Sequence, residues 1–189
     1  MTGTEPVRVL WLVKGLGPGG AERLLCTAAQ VRDRTRLHYE VAYLLPAKDH
    51  LVPTLREAGV PVHCLHGGRP EAASWTVRLR RLLAAEPFDV LHVHSPMVAA
   101  LARTVVPTLP KRVRPRLLYT EHNSWPSYAP VTRLLNAATY PMDEAQFAVS
   151  QEVWSSVPHR LRGRLEVVVH GIDVPATRAL RTERDQVRA

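Results

Sequence analysis

Val7-Arg-Val-Leu-Trp-Leu-Val13, followed at once by Lys14-Gly-Leu-Gly-Pro-Gly-Gly-Ala-Glu-Arg23, is the stretch from which the fold is read. Its first part is an apolar run broken only by Arg8, with the length and β-branched content of a strand buried on both faces. Its second part is a glycine-rich turn entering a helix expected over 21–34. Leu24, Leu25, Ala28 and Val31 fall on one face of that helix, and Arg23, Gln30, Arg32 and Arg34 on the other. A strand, a tight glycine loop and a helix N-terminus together make an anion site. Unpaired backbone N–H groups and the positive end of the helix dipole point the same way there, and glycine lets a phosphate or carboxylate come close. A negatively charged group is therefore expected over Gly17 to Glu22.

Working outward, strand and helix patterns alternate to the end of the chain. Further strands are expected over 37–45, 60–65, 88–94, 116–121, 146–150 and 165–169. Helices are expected over 51–58, 75–86, 96–106, 130–140 and 152–161, with Gly59 as a C-terminal stop and Pro96 in a first turn. Such alternation with short connections means an α/β, doubly wound, Rossmann-like parallel sheet covered on both faces.

Composition narrows the class without naming it. The 189 residues are 46% apolar, enough for one well-filled core. No run reaches the length of a membrane span and the N-terminus lacks the pattern of a secretory signal, so a cytoplasmic protein is expected. Cys26, on the inward face of the first helix, and Cys64, inside an apolar strand, read as small hydrophobes rather than as a disulfide or metal knuckle. The net charge of +8 is almost wholly arginine, since Lys14, Lys48 and Lys111 are the only lysines. The basic runs at 111–116 and 160–164 precede strands, belong at the sheet edge away from any site, and read as solvated faces. Nucleic acid is not the expected partner.

In an open parallel sheet the ligand lies outside the carboxyl ends of the strands. Those ends carry Gly15 to Arg23, His66 to Arg69, His94-Ser95, Glu121-His-Asn123, Ser150 to Glu152 and His170-Gly-Ile-Asp173. Gly15-x-Gly17-x-x-Gly20 spells a dinucleotide fingerprint. The acid that should close the second strand is missing, because Glu40 is mid-strand and Asp49 lies past Pro46, which argues against NAD or FAD. His92, two residues from His94, reads as a half-buried strand histidine, and no metal is expected. His122 sits at a strand end, where a turn places it over the glycine loop. Ser150 and Glu152 are either site residues or the cap and first turn of the next helix.

Read together, Gly19-Gly-Ala-Glu-Arg23, His92-Val-His94-Ser95, Thr120-Glu-His-Asn123, Ala148-Val-Ser150 and Val168-Val-His-Gly-Ile-Asp173 resemble the N-terminal half of family 4 retaining glycosyltransferases of the GT-B fold. The resemblance spans about 7–174. It implies one lobe of a two-lobe architecture over 1–174, with 175–189 beginning the interlobe linker. The C-terminal nucleotide-binding lobe, with its Glu-x7-Glu motif, is absent from the sequence. It also implies a nucleotide-sugar donor as substrate, no other cofactor, and an isolated lobe that turns over little.

The donor phosphates and sugar fall, by the same resemblance, to Gly17, Gly19, Gly20, Arg23 and Ser150. His122 and Glu121 take the catalytic place, and His94 lies on the acceptor side with Arg69 and Trp75. His170 stands where the family usually has Asn. The acceptor is not legible; a lipid-linked or cell-envelope substrate, with peripheral contact at the inner membrane face, suits the positive charge. Two other readings remain at this stage, a nucleotide-sugar epimerase of the same fold and a stand-alone anion-binding or partner-binding module.

Overall fold

The computed structural model describes residues 5–66 and 74–171. Seven strands, β1 (Val7–Val13), β2 (Leu37–Tyr43), β3 (Val62–Cys64), β4 (Val90–Val93), β5 (Arg116–Glu121), β6 (Ala145–Ala148) and β7 (Leu165–Val167), form one sheet in the order β3-β2-β1-β4-β5-β6-β7. Every pairing is parallel. The helices between them are α1 (Gly20–Val31), α2 (Val52–Glu57), α3 (Ser74–Ala85), α4 (Pro96–Val105), α5 (Pro130–Thr139) and α6 (Gln151–Ser156).

The apolar run of β1 explains the two layers. Leu10 and Leu12 point to one face, where they pack with Leu79 and Leu83 of α3 and with Val98, Ala99 and Ala102 of α4. Val9, Trp11 and Val13 point to the other, against Leu25, Cys26 and Ala29 of α1 and Leu55 of α2. Each fully buried leucine contributes about 2 kcal/mol. A strand between two such layers can carry almost no polar residue, and Arg8 is tolerated at its start, where it pairs with Glu40 at 2.8 Å and Glu86 at 3.0 Å.

The expected α/β doubly wound sheet is therefore what forms, with several differences of detail. Helix α1 ends at Val31, which is 77% exposed; its inward residues are Leu25, Cys26 and Ala29, a phase set by the glycine loop that launches the helix. Cys64 is exposed rather than interior, because β3 is a three-residue edge strand. The expected helix over 152–161 stops at Ser156. Pro158 cannot continue it, and 159–164 form a 3₁₀ turn instead. The interlobe linker expected over 175–189 lies outside the described residues.

Candidate functional site

The order in which strands are added to the sheet reverses between β1 and β4, since β2 and β3 extend it from β1 one way and β4 to β7 the other. The carboxyl ends of two strands that part in this manner leave a crevice. A cleft of about 960 Å³ opens there, lined by Lys14, Gly15, Gly20, Trp75, His94, His122 and Tyr128 among others.

The glycine loop is stitched to the turn after β2. Buried Leu16 donates its N–H to the Lys48 carbonyl at 2.6 Å and accepts from the Leu51 N–H at 3.0 Å. Lys48 packs so closely on Gly15 that a side chain at 15 would meet its Cβ at 2.9 Å. At Gly20, the first residue of α1, a side chain would meet no protein atom within 4 Å. The loop residues thus part company. Gly15 and Gly20 line the cleft, while Gly17 is buried beneath it and neither Gly19 nor Arg23 lines it. The Glu22 carboxylate folds back over Gly19, and Arg23 points to solvent.

The cations of the cleft are instead Lys14 and Lys48, two of the three lysines in an arginine-rich chain. Sequence reasoning passed over them. The signal available was their rarity together with their position after the first two strands. The acid sought for a dinucleotide is accounted for: Glu40 is buried and held by Arg8 and by His63 at 2.7 Å. Burial raises its pKa, but the hydrogen bonds from His63 and Arg8 more than offset this and bring it down to about 2.

Four histidine rings run in a row at the cleft, of which His94 and His122 line it. His92 and His94 are 4.2 Å apart between centroids, His94 and His122 5.3 Å, and His122 and His170 5.9 Å. Nδ1 of His94 and Nε2 of His122 share a hydrogen bond of 3.0 Å, and His92 Nε2 bonds Thr120 Oγ1 at 2.8 Å. Burial, reinforced by the neighbouring rings, pushes His92 down to about 3, His94 well below the usual range and His122 to about 4. All three are neutral at pH 7. Among the described residues, no group of three or more His, Cys, Asp or Glu is placed to hold a metal.

Glu121, expected to act on substrate, does not line the cleft. As the last residue of β5 it turns into the core and is fully buried. Its Oε1 accepts from the Tyr119 hydroxyl at 2.9 Å and from the Tyr128 hydroxyl, and Oε2 has no partner among the described residues. Burial raises its pKa to about 7 against the pull of the two tyrosines and Arg103. What reaches the cleft in its place is Tyr128. Ser150 acts as a cap, its Oγ accepting from the Val153 N–H at 3.1 Å, and does not line the cleft. Trp75 lines the cleft from within α3, almost wholly buried, so it is wall rather than loop. Arg69 lies outside the described residues.

A model of Glycosyltransferase Family 4 matches residues 18–175. The chain belongs to glycosyltransferase family 4. Solved structures share the fold of this family 4 lobe. Anabaena HepE in complex with UDP superposes with a TM-score of 0.70 at 17% identity, over 96% of this chain and 50% of that one. The lipopolysaccharide outer core galactosyltransferase WaaB gives 0.70 at 11%, over 89% and 47%. UDP-N-acetylglucosamine 2-epimerase from Rickettsia bellii gives 0.59 at 11%, over 97% and 49%. The chain spans about half the length of these structures, and its sheet and helices form a GT-B-like lobe. Sequence comparison with curated proteins finds no match. No helix among the described residues of this family 4 chain is long and apolar enough to cross a membrane.

Proposed function

We propose that this chain is the acceptor-side lobe of a retaining hexosyltransferase, over 1–174, with the nucleotide of the sugar donor held chiefly by a second lobe reached through 175–189. The observation that carries this reading is the cleft at the β1–β4 switch point, where Gly20, Lys14 and Lys48 face the neutral histidines His94 and His122. Sugar transfer builds negative charge on the departing diphosphate. N–H groups at the start of α1 and the two lysine ammoniums are fixed positive charge aimed at that place, with no metal called for. His122 and Tyr128 line the part of the cleft where an uncharged sugar fits. Gly17, Ser150 and Glu121 act, in this reading, behind the contact surface, and Gly19 and Arg23 lie outside it. The complex of the HepE structure with UDP supports a nucleotide-sugar as donor; that no further cofactor takes part is likewise proposed.

The acceptor, in this proposal, is lipid-linked or belongs to the cell envelope and is met at the cytoplasmic membrane face. Val131 and Leu134 on α5 are 57% and 69% exposed, beside Tyr128 and Thr132 at the cleft. The test is product analysis on the full-length protein with UDP-glucose and a polyprenyl-phosphate-linked sugar. A product of unchanged anomeric configuration, formed only with acceptor present, is expected. An isomerised nucleotide-sugar formed without acceptor would put the epimerase reading in its place. Tight anion or partner binding with no turnover would favour a binding module.

A further inference from the structure

The hydrogen bond between His94 Nδ1 and His122 Nε2 needs one proton, and the surroundings of His94 say which ring supplies it. His94 Nε2 is buried and has no partner among the described residues. Were His122 the donor, neutral His94 would carry its own proton on Nε2, leaving an N–H buried with nothing to accept it. Buried N–H groups without acceptors are rarer in folded proteins than buried acceptors left short of a donor. With the proton on Nδ1 of His94 instead, only a bare ring nitrogen is buried, and Nδ1–H points at His122. His122 then accepts at Nε2 and must carry its proton on Nδ1. That atom has no protein partner among the described residues, on a ring that lines the cleft.

We propose that His94 is a positioning residue that locks His122 in the Nδ1–H form, so that His122 meets the ligand as a hydrogen-bond donor and not as a base. This rests on the reading of the cleft as a nucleotide-sugar site only for what the ligand is. The tautomer assignment rests on geometry alone. The Nε2–H form is the ordinary one for a free neutral imidazole, so the pair departs from what two unconnected histidines would adopt. The neighbouring rings do not compete for the bond, since His92 is engaged with Thr120 and His170 stacks on His122 with an interplanar angle of 7°. An N–H held toward the cleft suits a sugar hydroxyl or ester oxygen, and leaves anion binding to Lys14 and Lys48.

Long-range proton–nitrogen NMR of the ¹⁵N-labelled 189-residue chain at pH 7.5 reads the two tautomers directly. His94 and His122 are both expected as Nδ1–H. In His94→Phe, which keeps an aromatic ring but removes the donor, His122 should revert to Nε2–H, and the affinity for UDP-glucose should fall about threefold to tenfold while that for UDP stays unchanged. His122 found as Nε2–H in the wild type overturns the proposal without recourse to any variant. So does Nδ1–H retained in a folded His94→Phe. If neither UDP nor UDP-glucose perturbs the cleft resonances of the full-length protein while both rings read Nδ1–H, the nucleotide-sugar reading fails and the His94 assignment stands.

Discussion

The Arg103 guanidinium meets the Asp143 carboxylate through two parallel hydrogen bonds, Nε to Oδ1 at 2.8 Å and the terminal nitrogen to Oδ2 at 2.6 Å, where neither side chain has appreciable exposure. Arg103 belongs to α4 and Asp143 precedes β6, and the same guanidinium bonds Asn136 Oδ1 at 2.7 Å on α5. The network ties the helix that follows β4 to the far half of the sheet. Removing one partner leaves a buried charge without compensation. Asp143→Ala should therefore lower stability by about 3–5 kcal/mol in urea unfolding. Replacing the pair together, as Arg103→Met with Asp143→Leu, should cost less than the single change. A mild single variant would show that the bridge does not hold α4 in place.

The pH dependence has two opposing parts. His92, His94 and His122 are held neutral by burial, with pKa values brought below the unfolded range. Their contribution to stability is fully present above about pH 6.5 and is lost as pH falls through the folded values, about 4 for His122 and about 3 for His92, with His94 also lowered. Glu121 runs the other way, because its folded value near 7 exceeds its unfolded one. Its stabilisation is greatest below about pH 4.5 and declines as pH rises to 7, by roughly 3 kcal/mol. Three histidines outweigh one carboxyl, so the folded chain should weaken overall on acidification. The Glu121 part is read as a difference: as pH rises from 5 to 7.5, Glu121→Gln should gain more stability than wild type in paired denaturation curves, because it lacks the opposing loss.

Gly20 separates fold from ligand. No protein atom lies within 4 Å of where its side chain would be, so Gly20→Val should fold with an unchanged melting temperature. The added side chain stands at the N-terminus of α1, where the proposed function places the donor phosphates. Calorimetric titration of UDP-glucose should show binding abolished. Normal binding would remove the loop from the site.

Lys14 and Lys48 are exposed in the cleft. A charge-assisted contact to phosphate is worth about 1.5–3 kcal/mol. Lys48→Ala should weaken UDP binding about tenfold or more, with a shallower dependence on salt and little change in stability. Arg23→Ala, by contrast, should leave UDP affinity unaltered, since Arg23 is turned away from the cleft.

The exposed apolar residues of α5 give the membrane proposal its test. Leu134→Asp should reduce cosedimentation with phosphatidylglycerol vesicles about tenfold or more, by the loss of one buried leucine. Unchanged partition would separate this face from any lipid surface.

Much was legible in the sequence because it depends on local pattern. Seven apolar runs separated by helical periodicity make a parallel α/β sheet whatever the details, since a strand such as β1 with no polar side can only lie between two layers. The glycine loop, His94 and His122 were legible as an edge cluster for the same reason: the carboxyl ends of parallel strands come together. Tertiary structure decided which side chains face the cleft. Gly20 is exposed at the cleft, Gly15 lines it though packed under Lys48, and Gly17 is buried away from it, because Leu16 anchors the loop from below. Glu121 and His122 are adjacent in sequence, yet one is sealed beneath Tyr128 and the other lines the cleft, because successive residues at a strand end point to opposite sides. Lys48 joins the site from a separate turn through its bond to Leu16, and the proton shared by His94 and His122 exists only because β4 and β5 lie side by side. Pattern within a segment is written in that segment; contacts between segments arise only when the sheet brings them together.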